Sequence, residues 1–222
     1  MKCMWPVASG RSVSSASLAS FARFWRTLRF KALAVVLLFL PASTLAQLSS
    51  EHQNRSWDFS IWASGATGEE NTNLFSEAQI FSVGVSVGRA LTTEIGSGWR
   101  RGRLQYGFDI APVFVQFTPQ RISGIAFDPV ILRWNSSMHG GRVAPFIELG
   151  GGAVHTNANF PAGDTSTFNF IARGGGGIQI ATRRSQALEI GCRWWHISSA
   201  NLGNINPEFN GIQLSVGWHW FR

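Results

Sequence analysis

Residues 210–221 read NGIQLSVGWHWF, and apolar and polar side chains alternate along the stretch. Successive side chains of a β-strand point to opposite faces, so this alternation predicts a strand with one apolar and one polar face. The apolar face carries Ile212, Leu214, Val216, Trp218 and Trp220, and the polar face carries Gln213, Ser215, Gly217 and His219.

Seven further runs show features of this period of two and are separated by turn-rich stretches, although the fourth run, at 123–136, is apolar on both faces and fits least well. After residue 46 no stretch has the ~20 consecutive apolar residues of a membrane helix, and no long period of 3.6 residues appears. The sequence therefore predicts an all-β protein. The eight predicted strands are 56–67, 78–91, 101–117, 123–136, 142–156, 166–181, 185–199 and 210–221.

The two faces of these strands distinguish a membrane barrel from a soluble sandwich. A sandwich packs its aromatic face inward and turns small or charged residues to water. A narrow barrel instead encloses small residues and paired charges, and turns aromatic residues to lipid. The non-aromatic faces here hold glycine, serine and the charged residues Asp58, Asp109, Glu148, Arg173, Glu189 and Arg193.

Tryptophans lie towards the ends of the runs, as expected for the interfacial girdles of a membrane protein. We therefore predict an eight-stranded antiparallel transmembrane β-barrel over residues 47–222. The tryptophans assigned to the girdles are Trp57, Trp99, Trp134, Trp194, Trp195, Trp218 and Trp220.

The first 46 residues have the pattern of a signal peptide. They contain six basic and no acidic residues, followed by the apolar core ALAVVLLFL at 32–40 and the sequence TLA at 44–46, which resembles a cleavage site. A single membrane anchor is the alternative, but nine apolar residues are too few to span a bilayer as a helix.

Removal of this leader changes the charge of the protein. The whole chain has a formal net charge of +7, whereas residues 47–222 hold 13 basic and 12 acidic residues. The strong basicity therefore belongs to the leader, and we expect no nucleic-acid partner. Cys192 is the one cysteine left after cleavage, which excludes an intrachain disulfide.

Strand parity predicts the topology of the barrel. With both termini in the periplasm, residues 68–77, 118–122, 157–165 and 200–209 connect strands on the outer side, and the first and last of these are long. The opposite connections include the short stretches 137–141 and 182–184, as periplasmic turns should be. The end of the seventh strand then lies near the outer leaflet.

A histidine and a serine end that seventh strand. His196 and Ser198 are two residues apart, so their side chains share one face. The same face carries Leu188, Ile190, Cys192 and Trp194, which makes it the apolar, lipid-facing side. An imidazole beside a hydroxyl is the pairing that ester cleavage requires, and a lipid-facing position favours a lipid substrate.

The stretch HISSANLGNINPEFNG at 196–211, followed by the final strand, resembles the C-terminal region of outer-membrane lipid A 3-O-deacylases. The resemblance implies an eight-stranded barrel with a serine-hydrolase triad on its outer surface. By position it implies that His196 is the general base and Ser198 the nucleophile. It further implies that Asn210 donates to the oxyanion and that Ser199 stands where the family prefers asparagine beside the substrate.

The acidic member of such a triad is not evident. The match on Asn-Gly-Ile places Gln213 at the acidic position, although its parity points into the barrel. Matching on strand register gives Leu214 instead, which cannot orient an imidazole. Glu208 is the nearby carboxylate that would substitute, so the third member stays open.

Two functions follow from these patterns. The first is hydrolysis of a primary, 3-linked acyl ester of lipopolysaccharide in the bacterial outer membrane, without a metal or organic cofactor. The second is a non-enzymatic small barrel that acts as a structural, adhesion or narrow-pore protein. The expected partners are the lipid A substrate and outer-membrane lipids, and a homodimer is compatible with the sequence.

Overall fold

Eight β-strands form a closed antiparallel barrel in the computed structural model. The structure describes residues 56–71, 76–137, 142–161, 165–204, 206 and 208–222, and the predicted signal peptide lies outside them. The strands are β1 (Trp57–Asn71), β2 (Ser76–Ala90), β3 (Gly102–Thr118), β4 (Ile122–Ser136), β5 (Val143–Thr156), β6 (Phe168–Arg183), β7 (Gln186–Ser198) and β8 (Glu208–Phe221).

Each strand pairs with the next one along the chain, and β8 pairs with β1 to close the ladder. The prediction of an eight-stranded antiparallel barrel is therefore confirmed. Within the described part of the chain, no helix has the length and apolar character needed to cross a membrane.

The first hairpin differs from the sequence prediction. Residues 68–77 were expected to form a long connection, but β1 runs to Asn71 and β2 begins at Ser76. The prediction failed because the apolar alternation fades near residue 67, whereas the backbone ladder continues to the pair Glu70–Ser76. Gly68 permits a close approach of β8, since a Cβ there would lie 2.2 Å from the Asn210 carbonyl oxygen.

The two faces of the strands separate as the alternation predicts. Phe81 is 40% exposed on the outside of the barrel, whereas its neighbour Ser82 is 1% exposed inside it. In β8 the outward Leu214 alternates with the buried Gln213 and Ser215. The outer surface is accordingly apolar and the lumen mostly polar.

Ion pairs fill the middle of the lumen. Arg133 bridges two carboxylates, with its guanidinium nitrogens 2.5 Å from Glu148 and 2.6 Å from Glu189. Arg193 contacts the same two carboxylates from β7, at 3.0 Å from Glu189. Buried charges are tolerated only when they are paired, and each charge of this group has an opposite partner.

Two further buried basic side chains, Arg173 and His219, extend the polar lumen. Arg173 lies between Asp109, at 2.5 Å, and Asp128, at 3.2 Å. The ring of His219 lies between Asp58, at 2.8 Å, and Glu189, at 3.0 Å. Side chains from seven of the eight strands therefore take part in these contacts inside the barrel.

An aromatic plug closes the lumen at one end. It consists of Phe114, Phe160, Trp195 and Phe209, all at most 2% exposed. Phe160 comes from the connection between β5 and β6, and its ring centroid lies 5.7 Å from that of Phe114 and 6.2 Å from that of Phe209. Packed aromatic rings leave no room for a channel at this end, which disfavours the narrow-pore alternative.

The plug corrects the assignment of Trp195 to an interfacial girdle. Trp194 and Trp195 are adjacent in β7, so they must point to opposite faces. Trp194 is exposed on the outside, and Trp195 packs in the lumen against Phe114.

The lumen network predicts a large effect of Glu148→Gln. The change removes a charge that two arginines share, and it leaves buried cations without full compensation. We expect the free energy of unfolding to fall by about 3–5 kcal/mol, measured by urea titration of the refolded barrel. Glu77→Gln, the same change at an exposed position, should cost less than about 1 kcal/mol. Equal effects of the two changes would contradict a stabilising role for the network.

Candidate active site

The site lies on the outer surface of β7 and β8, at the barrel end that carries the aromatic plug. We call this the site end. The register of the two strands pairs His196 with Asn210 and Ser198 with Glu208. All four side chains have the parity of the exposed Trp194 and Ile212, so they project from the barrel rather than into it.

The imidazole of His196 connects two polar neighbours. Its Nε2 lies 3.1 Å from the Ser198 hydroxyl, and its Nδ1 lies 2.9 Å from the Asn210 side-chain oxygen. An amide oxygen accepts hydrogen bonds, so Nδ1 carries the proton and Nε2 is left to accept from the serine hydroxyl. The proximity of His196 and Ser198 is the one that strand parity predicts.

Glu208 is the carboxylate near this pair. One of its oxygens is 3.7 Å from Nδ1 of His196, which is too long for a hydrogen bond but close enough for charge attraction. The side chains of His196 and Glu208 are 26% and 40% exposed, respectively. The carboxylate therefore lies at the border of the site with solvent.

Gln213 does not reach the site. It is 1% exposed in the lumen, where its amide nitrogen donates to the hydroxyl of Ser64 at 3.0 Å. The pairing of β7 with β8 is continuous from Ser198 to Gln186, so no bulge reverses its parity. The position suggested by sequence matching is thus corrected, and Asn210 occupies the place beside His196 Nδ1.

Ser199 follows directly after β7 and does not contact His196 through its hydroxyl. Its side chain is fully buried, and its hydroxyl donates to Asn206 at 2.9 Å. The chain then turns through Ala200 and Asn201, whose φ angles are +50° and +65°. The Ser199 hydroxyl is therefore engaged within the connection between β7 and β8.

Asn210 has a different contact from the one expected. The resemblance implied that its amide donates to an oxyanion, but its oxygen is directed at the imidazole. The cross-strand register explains this difference, because residues directly opposite each other in a ladder have close side chains.

An aromatic ring flanks the imidazole on its own strand. Trp194 is two residues before His196, and the two rings stack with centroids 5.8 Å apart and planes 20° apart. The opposite neighbour in β6 is the small Ala172. The indole restricts the orientation of the histidine on one side, and the alanine leaves the outer surface open on the other.

The aromatic plug supports the site from behind. Trp195 and Ile197 alternate with His196 and Ser198 along β7, and both inward side chains are buried at the site end. Phe209 does the same in β8 beside Asn210. Residues of close-packed interiors keep fixed rotamers, so this packing holds the backbone under the site in one position.

The connection after β7 is held by the neighbouring connection. A Cβ at Gly203 would lie 2.7 Å from the carbonyl carbon of Thr165. The Thr165 hydroxyl in turn donates to the carbonyl of Pro161 at 2.6 Å. The two connections at the site end therefore pack directly against each other.

The donor set indicates the kind of chemistry that the site can perform. Among the residues that the structure describes, no group of three His, Cys, Asp or Glu side chains is arranged to hold a metal ion. A hydroxyl, an imidazole and an acceptor for the second ring nitrogen form the arrangement used for nucleophilic acyl transfer.

Solved structures that resemble the barrel include two outer-membrane proteins. The crystal structure of the outer membrane enzyme PagL is 20% identical, with a TM-score of 0.51 over 70% of this chain and 97% of that chain. Neisserial surface protein A is 13% identical, with a TM-score of 0.51 over 74% and 97% of the two chains. At such identities these matches show the shared fold. No curated protein sequence matches the chain.

The match to a family model is more specific than these likenesses. The model of lipid A 3-O-deacylase (PagL) aligns with residues 45–219. This span includes seven complete strands and most of β8, together with His196, Ser198 and Asn210. The chain therefore belongs to the lipid A 3-O-deacylase (PagL) family of outer-membrane barrels.

Proposed function

We propose that Ser198, His196 and Asn210 form a serine-hydrolase site that removes the 3-linked acyl chain from lipid A. The observation that carries the proposal is the continuous line of contacts from the serine hydroxyl through both ring nitrogens to the asparagine oxygen. Membership of the deacylase family supplies the substrate, and the outward position of the site supports access from the membrane.

The chemistry follows from the tautomer of His196. Nε2 takes the proton of Ser198 while the serine oxygen attacks the ester carbonyl. The imidazolium then gives the proton to the sugar oxygen, which leaves as an alcohol, and the acyl chain stays on the serine. Water activated by the same nitrogen attacks the acyl-enzyme, and the fatty acid leaves with Ser198 restored.

Asn210 and Glu208 would each perform one of the two roles of a triad carboxylate, which are to orient the imidazole and to stabilise its positive charge. The amide oxygen of Asn210 fixes the tautomer and the ring orientation, but it brings no charge to stabilise the imidazolium. The carboxylate of Glu208, 3.7 Å from Nδ1, supplies that charge through space. Gln213 has no part in this arrangement because it lies in the lumen.

The substrate would reach the site sideways from the bilayer. Trp194 and Ile212 are exposed apolar neighbours of the pair, and they suit contact with acyl chains. Ester bonds lie at the boundary between acyl chains and headgroups. We therefore place the site end of the barrel at the outer leaflet, where lipid A resides.

Replacement of the nucleophile tests the proposal directly. Ser198→Ala should abolish release of the 3-linked acyl chain, because no other exposed hydroxyl contacts His196 among the described residues. The measurement is mass spectrometry of lipid A from cells that express each variant. Ser123→Ala, at an exposed serine of the same barrel end, should act like the unchanged protein. Full activity in Ser198→Ala, or none in the unchanged protein, would favour the non-enzymatic barrel.

Substitutions at the third position rank the candidate partners of His196. Asn210→Ala should lower kcat on the order of 10²- to 10⁴-fold, because the imidazole loses its fixed tautomer. Glu208→Gln should lower kcat roughly 3- to 10-fold, because only a partly solvated charge is lost. The assay is steady-state deacylation of lipid A in mixed micelles.

Two further variants test this ranking, one with an expected gain in kcat and one with no expected change. Asn210→Asp should raise kcat roughly ten-fold, because a charged acceptor makes the stronger hydrogen bond. Gln213→Ala should leave kcat within about two-fold of the unchanged protein, since distant sites behave independently. A loss in Gln213→Ala as large as that in Asn210→Ala would refute the assignment of Asn210.

A further inference from the structure

Arginines concentrate at the barrel end opposite the site. We call this the terminal end, since β1 begins and β8 ends there. At the site end, Arg121 is the one arginine outside the lumen among the described residues. The arginines at or near the terminal end are Arg89, Arg100, Arg101, Arg103, Arg142, Arg183, Arg184 and Arg222.

Part of this set lies along the half of the barrel wall that runs from β6 to β2 and includes the strands β7 and β8 of the site. Arg89 is the cross-strand partner of Trp57, and both side chains are exposed on the outer surface. Arg183 and Arg184 are exposed at the turn between β6 and β7. These residues, together with Trp220 at the end of β8, form what we call the arginine arc.

Backbone contacts make the arc continuous. The N–H of Phe221 donates to the carbonyl of Ser185 in the β6–β7 turn, at 2.9 Å. Trp220 pairs with Phe59 in β1, and β1 carries the pair Trp57–Arg89 to β2. The arc thus crosses from β6 to β2 over four strand spacings, or ~19 Å, which is wide enough for more than one lipid headgroup.

We infer that the arginine arc binds the phosphate groups of anionic phospholipids in the leaflet opposite the site. A guanidinium offers a planar pair of N–H donors that matches a phosphate. Exposed tryptophans are typical of the headgroup level, and the guanidinium of Arg89 lies 5.3 Å from the centre of the Trp57 ring. This contact holds the cation at the interface and leaves its N–H edge for a ligand.

The charge around the arc suits an anion. The carboxylate side chain outside the lumen at the terminal end of the described residues is the half-buried Glu94, and it pairs with Arg101 outside the arc. Asp58 projects into the lumen, where it contacts His219. Among the described residues, the side chains that form the arc are therefore cations and aromatic rings, with no carboxylate side chain among them.

The length of β7 relates the arc to Ser198. The strand has 13 residues from Gln186 to Ser198. Twelve steps of ~3.3 Å at a tilt of ~40° rise ~30 Å along the barrel axis, which equals the thickness of the hydrocarbon core. Headgroups bound at the arc would hold Ser198 at the opposite headgroup boundary, and this consequence rests on the proposed function.

Native mass spectrometry of the purified full-length protein tests the lipid site. The probes are phosphatidylglycerol and the zwitterionic phosphatidylcholine. We expect the unchanged protein to retain phosphatidylglycerol preferentially, and the triple variant R89Q/R183Q/R184Q to lose about ten-fold or more of this affinity. The matching triple lysine variant should keep most of it, and R121Q at the site end should keep all of it.

Three results would overturn the lipid site. The first is no preference of the unchanged protein for phosphatidylglycerol, and the second is unaltered binding by the triple glutamine variant. The third is displacement of the lipid by millimolar inorganic phosphate, which would indicate a simple anion site. If the triple glutamine variant does not refold, the test rests on the other two proteins. The unchanged protein and the triple lysine variant must then both prefer phosphatidylglycerol to phosphatidylcholine, and failure of either would contradict the lipid site.

A second measurement keeps this inference distinct from the proposed hydrolysis. Deacylation is followed in vesicles that contain lipid A, with and without phosphatidylglycerol. The anionic lipid should raise the activity of the unchanged protein several-fold and leave the triple glutamine variant unaffected. Absence of deacylation by the unchanged protein would count against the proposed hydrolysis. The lipid site at the arginine arc would then be judged by the binding measurement alone.

Discussion

Closure of a narrow barrel is the constraint on which the rest of this structure depends. With β8 paired to β1, the sheet is closed and has no free strand edge to meet the lipid. Each strand must then turn one face to a small lumen that has to be filled. Paired charges such as Arg133 and Glu148 fill its middle, and the ring of Phe160 with its aromatic neighbours fills one end.

The packing of side chains in the lumen also fixes the positions of the site residues on the outer surface. His196 and Ser198 alternate with Trp195 and Ile197, so the backbone that carries the site is the backbone that carries the plug. A loosely filled lumen would let β7 shift relative to β8, and a shift of one residue moves each side chain to the other face. Stability of the interior and geometry of the exterior are thus coupled through strand alternation.

Strand parity made much of this predictable from the sequence. It is a local property, and it correctly put His196 with Ser198 outside and Gln213 inside. The pairing of β7 with β8 is not local, because it depends on how residues 199–207 turn between them. Sequence matching therefore chose Gln213, whereas the ladder brings Asn210 to His196.

The aromatic plug could not be predicted from the sequence, because it too depends on contacts between residues that are distant in the chain. Phe160 comes from a connection, and connections lack the alternation that reveals strand orientation. The preference of tryptophan for membrane interfaces favours a girdle position for Trp195, but adjacent residues of a strand face opposite sides, and only one of Trp194 and Trp195 can face the membrane. The corrected position depends on Phe114 in β3, which is far away in the sequence and close only in the folded barrel.

A neutral acceptor beside His196 is consistent with a site that faces lipid. A carboxylate in that place would have to lose part of its hydration whenever an acyl chain covered the site, and such desolvation is expensive for a charge. The amide of Asn210 orients the ring at a smaller cost. Glu208 lies two residues closer to the end of the barrel and keeps 40% of its side chain exposed, so its charge would stay hydrated in the mechanism that we propose. In the proposed site, the contact that orients the ring and the charge that stabilises the imidazolium would thus come from different residues, and neither residue would have to bury a charge.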